Sequence, residues 1–232
     1  MTVSASTAVG IRRRLGQVVS VLILQAALLF VAAGTARWLG AWLFLAITVG
    51  FLLVNGTLLL RRSPETIAER GRPANMATWD IWISGAWAVV SYLLLPIAAG
   101  LDIRAHAGQT LGLAWNVTAA VVLLAALSFA GWAMAVNTYF STVVRIQRER
   151  GHTVCSTGPY GWVRHPGYVA FIAQTLATPL TLGSRWALIP ACVAVALMIA
   201  RTALEDRVLR AGLAGYEQYT QRVRHRLVPG VW

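Results

Sequence analysis

Three polar stretches in the C-terminal part of this chain gather residue types that make binding and catalytic sites. Residues 157–168 read TGPYGWVRHPGY, with two tyrosines, an arginine and a histidine in a backbone that Gly158, Pro159 and Gly161 bend into a tight, irregular turn. Pro166 suits the first turn of a helix, where its missing N–H costs nothing, which leaves His165 near the N-cap. A lone His-Pro pair would mark only a helix start, whereas this concentration of donors beside an apolar run points to a ligand site. Residues 201–209, RTALEDRVL, put Arg201 and Glu205 on one helical face. Such a pair is either an i,i+4 salt bridge worth about 0.3–0.5 kcal/mol or a functional pair placed where a helix leaves hydrocarbon, and spacing does not choose. Residues 144–155, VRIQRERGHTVC, carry Gln147 one turn beyond an apolar helix and His152 after a glycine that ends it. Alone, that stretch is a basic collar for lipid headgroups.

The elements that must position these stretches are helices. The chain is 57% hydrophobic and 12% charged, about half the charge of a soluble domain. Its apolar residues fall into charge-free runs at 18–34, 38–60, 81–99 and 112–136, each close to the roughly 20 residues that cross a bilayer. Two shorter runs, 168–182 and 186–200, are joined by Gly183, Ser184 and Arg185 and make a hairpin that either spans or re-enters. The fold class is therefore all-α, a polytopic transmembrane bundle of five to six segments with a polar C-terminal extension. Residues 1–139 form the N-terminal spans and 140–232 the functional region. Residues 61–80 are expected to hold a short helix after Pro64, with Glu65 and Glu69 in its early turns, serving as connector or lid.

The arginines orient the bundle. With the N-terminus in the cytosol, Arg12, Arg13, Arg14, the 61–72 loop, residues 145–164 and the tail after Arg201 fall inside, leaving Arg37, Arg104 and Arg185 outside. The net charge of +12 is explained by this topology and by anionic lipid, so nucleic acid is not an expected partner. Lysine is absent, which excludes Schiff-base chemistry and a P-loop. Cys155, Cys192 and four scattered histidines have no metal-ligand spacing. Arg12–14 before an apolar run resembles a signal-peptide start, but without a convincing cleavage pattern it is taken as a retained first helix. The hairpin brings residues before Tyr168 and after Ala200 to one face, so the richest polar stretches must converge.

Taken together, RIQ-x3-GH, GPY-x3-RHPGY, LGS-x-WAL, RT-x2-ED-x2-L, GY-x2-Y and the terminal RLVPGVW resemble the isoprenylcysteine carboxyl methyltransferase family and, more distantly, the phospholipid methyltransferases. The resemblance runs from about Phe140 to Trp232. It implies an S-adenosylmethionine site built from C-terminal helices and loops, and the chain has no GxG turn for a dinucleotide fold. Carried over by position, Gln147, His152, Thr153, Val154, Cys155 and Tyr160 would contact the cofactor. His165, Pro166, Gly167 and Tyr168 would line its pocket. Glu205 would bind its polar groups, and Arg201 would face a substrate carboxylate. Where the eukaryotic enzymes carry a run of glutamates after Arg-Thr, only Glu205 and Asp206 follow here, and the tail also differs.

The resemblance implies methyl transfer to the carboxylate of a lipophilic, isoprenoid-like acceptor; the arginine asymmetry puts the site at the cytosolic face, and the all-arginine basic usage points to a bacterial-type inner membrane. A carboxylate is already ionised at pH 7, so the protein need only align the reactants and exclude water. An amine or phospholipid acceptor is the alternative, with His165 or Glu205 as base. A non-catalytic lipid-binding scaffold is the reading from another class. Oligomeric state is open.

Overall fold

The computed structural model describes residues 4–71, 76–106 and 112–232. The described residues are helical or irregular, with no strand, as expected where hydrocarbon forces each segment to satisfy its own backbone. The long helices are α1 (Ala5–Ala33), α2 (Leu39–Arg62), α4 (Thr78–Val89), α5 (Leu95–Ala105), α6 (Leu113–Val136) and α8 (Leu188–Gly212). A π-turn at Val90–Leu94 fuses α4 and α5 into one span, immediately before Pro96 removes a backbone donor. Five spans, at Ala5–Ala33, Leu39–Arg62, Thr78–Ala105, Leu113–Val136 and Leu188–Gly212, are long and apolar enough to cross a membrane. The shorter helices are α3 (Pro64–Arg70), α7 (Pro166–Leu182) and α9 (Tyr216–Arg222).

The bundle is apolar on its outside and small in its interior. Val31, Trp82 and Ile189 are each more than 70% exposed, whereas Ala41, Ala99, Ala133, Ala191 and Ala194 are fully buried between helices. In lipid, helices associate by close packing of small side chains, because bulky apolar ones gain nothing by leaving the acyl chains.

Two ends follow from the contacts. At one end, Trp38 Nε1 donates to Leu182 O (2.9 Å) and Asn116 Nδ2 donates to Thr181 O (2.9 Å). There Asp102 accepts from Ser184 Oγ (2.7 Å) and from the backbone N–H of Arg185 (2.7 Å) and Trp186 (3.0 Å). The α7–α8 link therefore lies level with the α1–α2 turn and the end of α5, so the hairpin traverses the bundle rather than stopping halfway. Arg37, Arg104 and Arg185 belong to this end, as the charge asymmetry predicts. The opposite end holds α3, residues 137–165, the end of α8, and α9.

The expected helix after Pro64 is present as α3. It is a wedged element: a Cβ on Gly10 of α1 would stand 2.9 Å from Ala68 Cβ, and buried Thr66 Oγ1 donates to Thr138 O (3.3 Å). The expected lid also includes residues 72–75, which lie outside the described residues.

Candidate active site

α6 stops at Val136, and the chain then runs irregularly to residue 157. The expected continuation of a helix through Gln147 is not what forms: only a 3-10 turn at Arg148–Arg150 is present, closed by Gly151 at φ +64. The side chain of Gln147 supplies what the helix would have given. Fully buried, it donates to Tyr139 O (2.7 Å) and accepts from Arg150 Nη1 (2.6 Å). A second 3-10 turn, Gly158–Gly161, precedes α7, which begins at Pro166 with His165 as N-cap.

Two buried aspartates close this end. Asp206, on α8, receives Arg164 through Nε (2.8 Å) and Nη2 (3.3 Å), Arg226 Nε (2.9 Å) and Tyr216 OH (3.1 Å). His165 Nε2 lies 3.3 Å from its Oδ1. The backbone completes the clamp, with Arg164 N donating to His225 O (2.9 Å) and His165 N to Arg226 O (3.0 Å). Asp80, in the first turn of α4, accepts from Arg201 Nε (2.7 Å) and Nη2 (3.2 Å), Ser84 Oγ (2.9 Å) and Val144 N (2.7 Å). The expected approach of residues 157–168 to 201–209 is thus direct.

Between these clamps opens a cleft of about 840 Å³, open solvent at its mouth included. Of the residues singled out in the sequence, His152, Thr153, Val154, Cys155, Tyr160, His165, Gly167, Tyr168, Arg201 and Glu205 line it. Gln147 and Pro166 do not: the first is folded behind the loop and the second is buried in the α7 start. Gly167 must lack a side chain, because a Cβ there would fall 2.6 Å from the Phe140 ring.

Arg201 and Glu205 share a helical face yet do not pair. Glu205 instead accepts a hydrogen bond from Tyr168 OH. The Tyr168 ring lies 5.6 Å from the Arg201 guanidinium, and Arg201 Nη2 also donates to Thr142 O (2.9 Å). Its Nη1 makes no hydrogen bond among the described residues. On the opposite wall the imidazole of His152 stacks on Tyr139 at 4.4 Å and 27°. Burial, with Arg150 and Arg145 nearby, pushes the His152 pKa down to about 4, so the ring is neutral at pH 7. Burial raises the Tyr160 phenol, which accepts from Asn137 Nδ2 (3.1 Å), and likewise the Cys155 thiol. Both stay protonated at pH 7. No group of three metal-ligating side chains occurs among the described residues.

Sequence reasoning missed Asp80, Asn137, Tyr139, Phe140 and Tyr216, and passed over Asp206 as a mere neighbour of Glu205. Asp80 had a signal, a lone carboxylate at the head of an apolar run. Tyr216 stood in the GY-x2-Y motif with no role given to it, and Asn137, Tyr139 and Phe140 had no signal, because the irregular loop that gives them their partners carries no periodicity.

The chain matches the sequence model of the isoprenylcysteine carboxyl methyltransferase family over residues 117–211. The match starts inside α6, earlier than Phe140, and ends with α8. A segment of 43 residues is 40% identical to the Saccharomyces cerevisiae protein-S-isoprenylcysteine O-methyltransferase, covering 18% of this chain and 18% of that enzyme's length. The solved structure of a eukaryotic intramembrane Ras methyltransferase, isoprenylcysteine carboxyl methyltransferase, superposes with a TM-score of 0.50 at 15% identity, over 99% of each chain. At that identity the likeness establishes the helical fold alone.

Proposed function

We propose a methyl-transfer function for this chain, which belongs through residues 117–211 to the isoprenylcysteine carboxyl methyltransferase family. The donor is S-adenosylmethionine and the acceptor the carboxylate of a lipophilic, isoprenoid-like molecule, methylated at the cytosolic face of the membrane. The observation that carries this reading is the cleft itself: the family-matched segment and the tail close one cavity at a single end of an apolar bundle.

The lining suits such a donor. The neutral His152–Tyr139 stack offers a flat aromatic surface without a repelling charge, and Glu205 offers a carboxyl group for cationic or hydroxyl groups. Bound there, the sulfonium would supply an electrophilic methyl. The protein's part is alignment and exclusion of water, which can supply about 7–11 kcal/mol. Asp80 fixes the Arg201 guanidinium by two nitrogens and leaves Nη1 to meet an anionic acceptor in a set orientation. A carboxylate acceptor needs no base, consistent with a cleft in which Tyr160 and Cys155 hold their protons.

The test is binding of S-adenosylmethionine to the purified protein in nanodiscs, followed by transfer of a labelled methyl to lipid extracts. A base-labile methyl ester is expected. A base-stable N-methyl product would move the acceptor to an amine, and wild-type protein that binds no donor would end the reading.

A further inference from the structure

A second cavity, about 1450 Å³ including its opening, lies between α1, α2, α4, α6 and α7. Its walls are largely apolar, with Phe44, Leu52 and Leu127 among them. At the site end, however, it is lined by Arg14 of α1 and Arg70 of α3. The two are brought side by side by Gly71, whose Cβ would lie 3.2 Å from Arg14 N. Among the described residues Arg14 hydrogen-bonds Gln17 Oε1 (3.5 Å), Arg70 reaches Met134 Sδ (3.0 Å) and the Phe140 ring (5.2 Å), and the neutral Tyr92 phenol lies near both guanidinium groups.

No carboxylate answers them. All eight acidic residues lie among the described ones, and none stands within 4.0 Å of either guanidinium. Glu65, Glu69 and Glu149 turn to Arg150 and Arg145. Asp80 and Asp206 hold the two clamps, Asp102 the far turn, Glu205 Tyr168, and Glu217 lies 4.0 Å from Arg210. Two adjacent arginines in low dielectric without a counter-charge are costly unless an anion joins them. Burial and the neighbouring Arg14 push the Arg70 pKa down to about 9.

A further sign of a ligand stands apart from the charges. Ser91, nine-tenths buried, and Trp87 both line the cavity, and neither Ser91 Oγ nor Trp87 Nε1 has a hydrogen-bond partner among the described residues. Ser91 belongs to the π-turn, a distortion often found at functional sites. Along α1 the lining continues from Arg14 to Gln25, about 17 Å deeper by helical rise. The cavity thus has a cationic mouth and an apolar shaft.

We propose that this cavity binds an amphiphile with an acidic head group, its carboxylate or phosphate held between Arg14 and Arg70 and its hydrocarbon chain running towards Leu127. This site is separate from the methyl-transfer cleft, although Phe171 lines both, its ring edge-on to Phe140 with centroids 6.3 Å apart. It does not depend on the methyl-transfer reading.

The experiment measures binding by native mass spectrometry and calorimetry to the full chain in phosphatidylcholine nanodiscs. The probes are oleic acid, lysophosphatidic acid, oleyl alcohol and inorganic phosphate. At least one acidic amphiphile is expected to bind ten-fold or more tighter than the alcohol and free phosphate, and the stronger of the two identifies the head group. Arg14→Gln and Arg70→Gln are each expected to weaken it at least ten-fold. Ser91→Leu, which narrows the shaft without touching a charge, should weaken it while melting at the wild-type temperature, and so covers the case in which an arginine variant fails to fold. The proposal is overturned if neither acidic probe binds, if oleyl alcohol or inorganic phosphate binds as tightly, or if the folded variants bind as the wild type does.

Discussion

The two ends of the bundle are held shut by buried aspartates of the same kind, yet they do different work. At the far end Asp102 gathers a serine hydroxyl and two backbone N–H groups, with His106 Nδ1 2.8 Å from Oδ1, and so fixes a turn. At the site end Asp206 and Asp80 instead gather guanidinium groups, Arg164 and Arg226 on the first and Arg201 on the second. A carboxylate that accepts from neutral donors, as Asp102 does across 82–84 residues, ties two segments together without neutralising a buried charge. One that neutralises guanidinium groups from several segments decides whether those segments meet at all, and removing it leaves charges stranded in low dielectric.

The largest test of that contrast is Asp206→Ala against Asp102→Ala. Breaking a buried ion pair by removing one partner costs about 3–5 kcal/mol, so Asp206→Ala should lower the melting temperature in detergent and abolish donor binding. Asp102→Ala strands polar donors at about 1–3 kcal/mol and should leave donor affinity near wild type by calorimetry. Equal losses of affinity would erase the distinction between the ends.

Next in size is Arg201→Ala, expected to lower kcat/KM for methyl transfer about 100-fold, or about 2.7 kcal/mol, with donor Kd little changed. Asp80→Asn should give a smaller loss that is not additive with it in a double-mutant cycle. Additive losses would mean that Asp80 does not act through Arg201. Tyr168→Phe, which deletes the donor to Glu205, should weaken donor binding roughly ten-fold, near 1.5 kcal/mol. An unchanged Kd would show that Glu205 needs no orienting partner.

The smallest effect is on pH. Because the folded pKa of His152, about 4, lies below the ordinary histidine value, the unfolded chain takes up its proton first. Its contribution to stability is therefore complete at neutral pH and erodes as pH falls from about 6.5 towards 4. Donor affinity should stay flat from pH 8 to about 5 and drop below that, and His152→Gln should remove the drop. An inflection near 6.5 would place the ring in water.

The six apolar runs, Pro166 at a helix start, the helix after Pro64 and the approach of His165 to the end of α8 were all legible in one dimension. Hydrocarbon length, proline's missing donor and the antiparallel return of a hairpin are local rules. Gln147 was misread because a helix and an irregular loop offer similar apolar and polar residues beyond Val136, and the deciding bonds, to Tyr139 O and Arg150, form only after the loop folds. The spacing of Arg201 and Glu205 correctly put them on one face but did not pair them. Asp80, 121 residues away, takes the arginine, and Tyr168 takes the glutamate.

By itself the sequence determined the solvent, the number and reach of the helices, and which polar stretches share an end, since each follows from the length and charge of continuous segments. Only the tertiary structure decided which carboxylate compensates which arginine, and so which arginines are left to seek an anion from outside. With twenty cations and eight acids, the pairing depends on distances across the bundle, and no spacing along the chain encodes those.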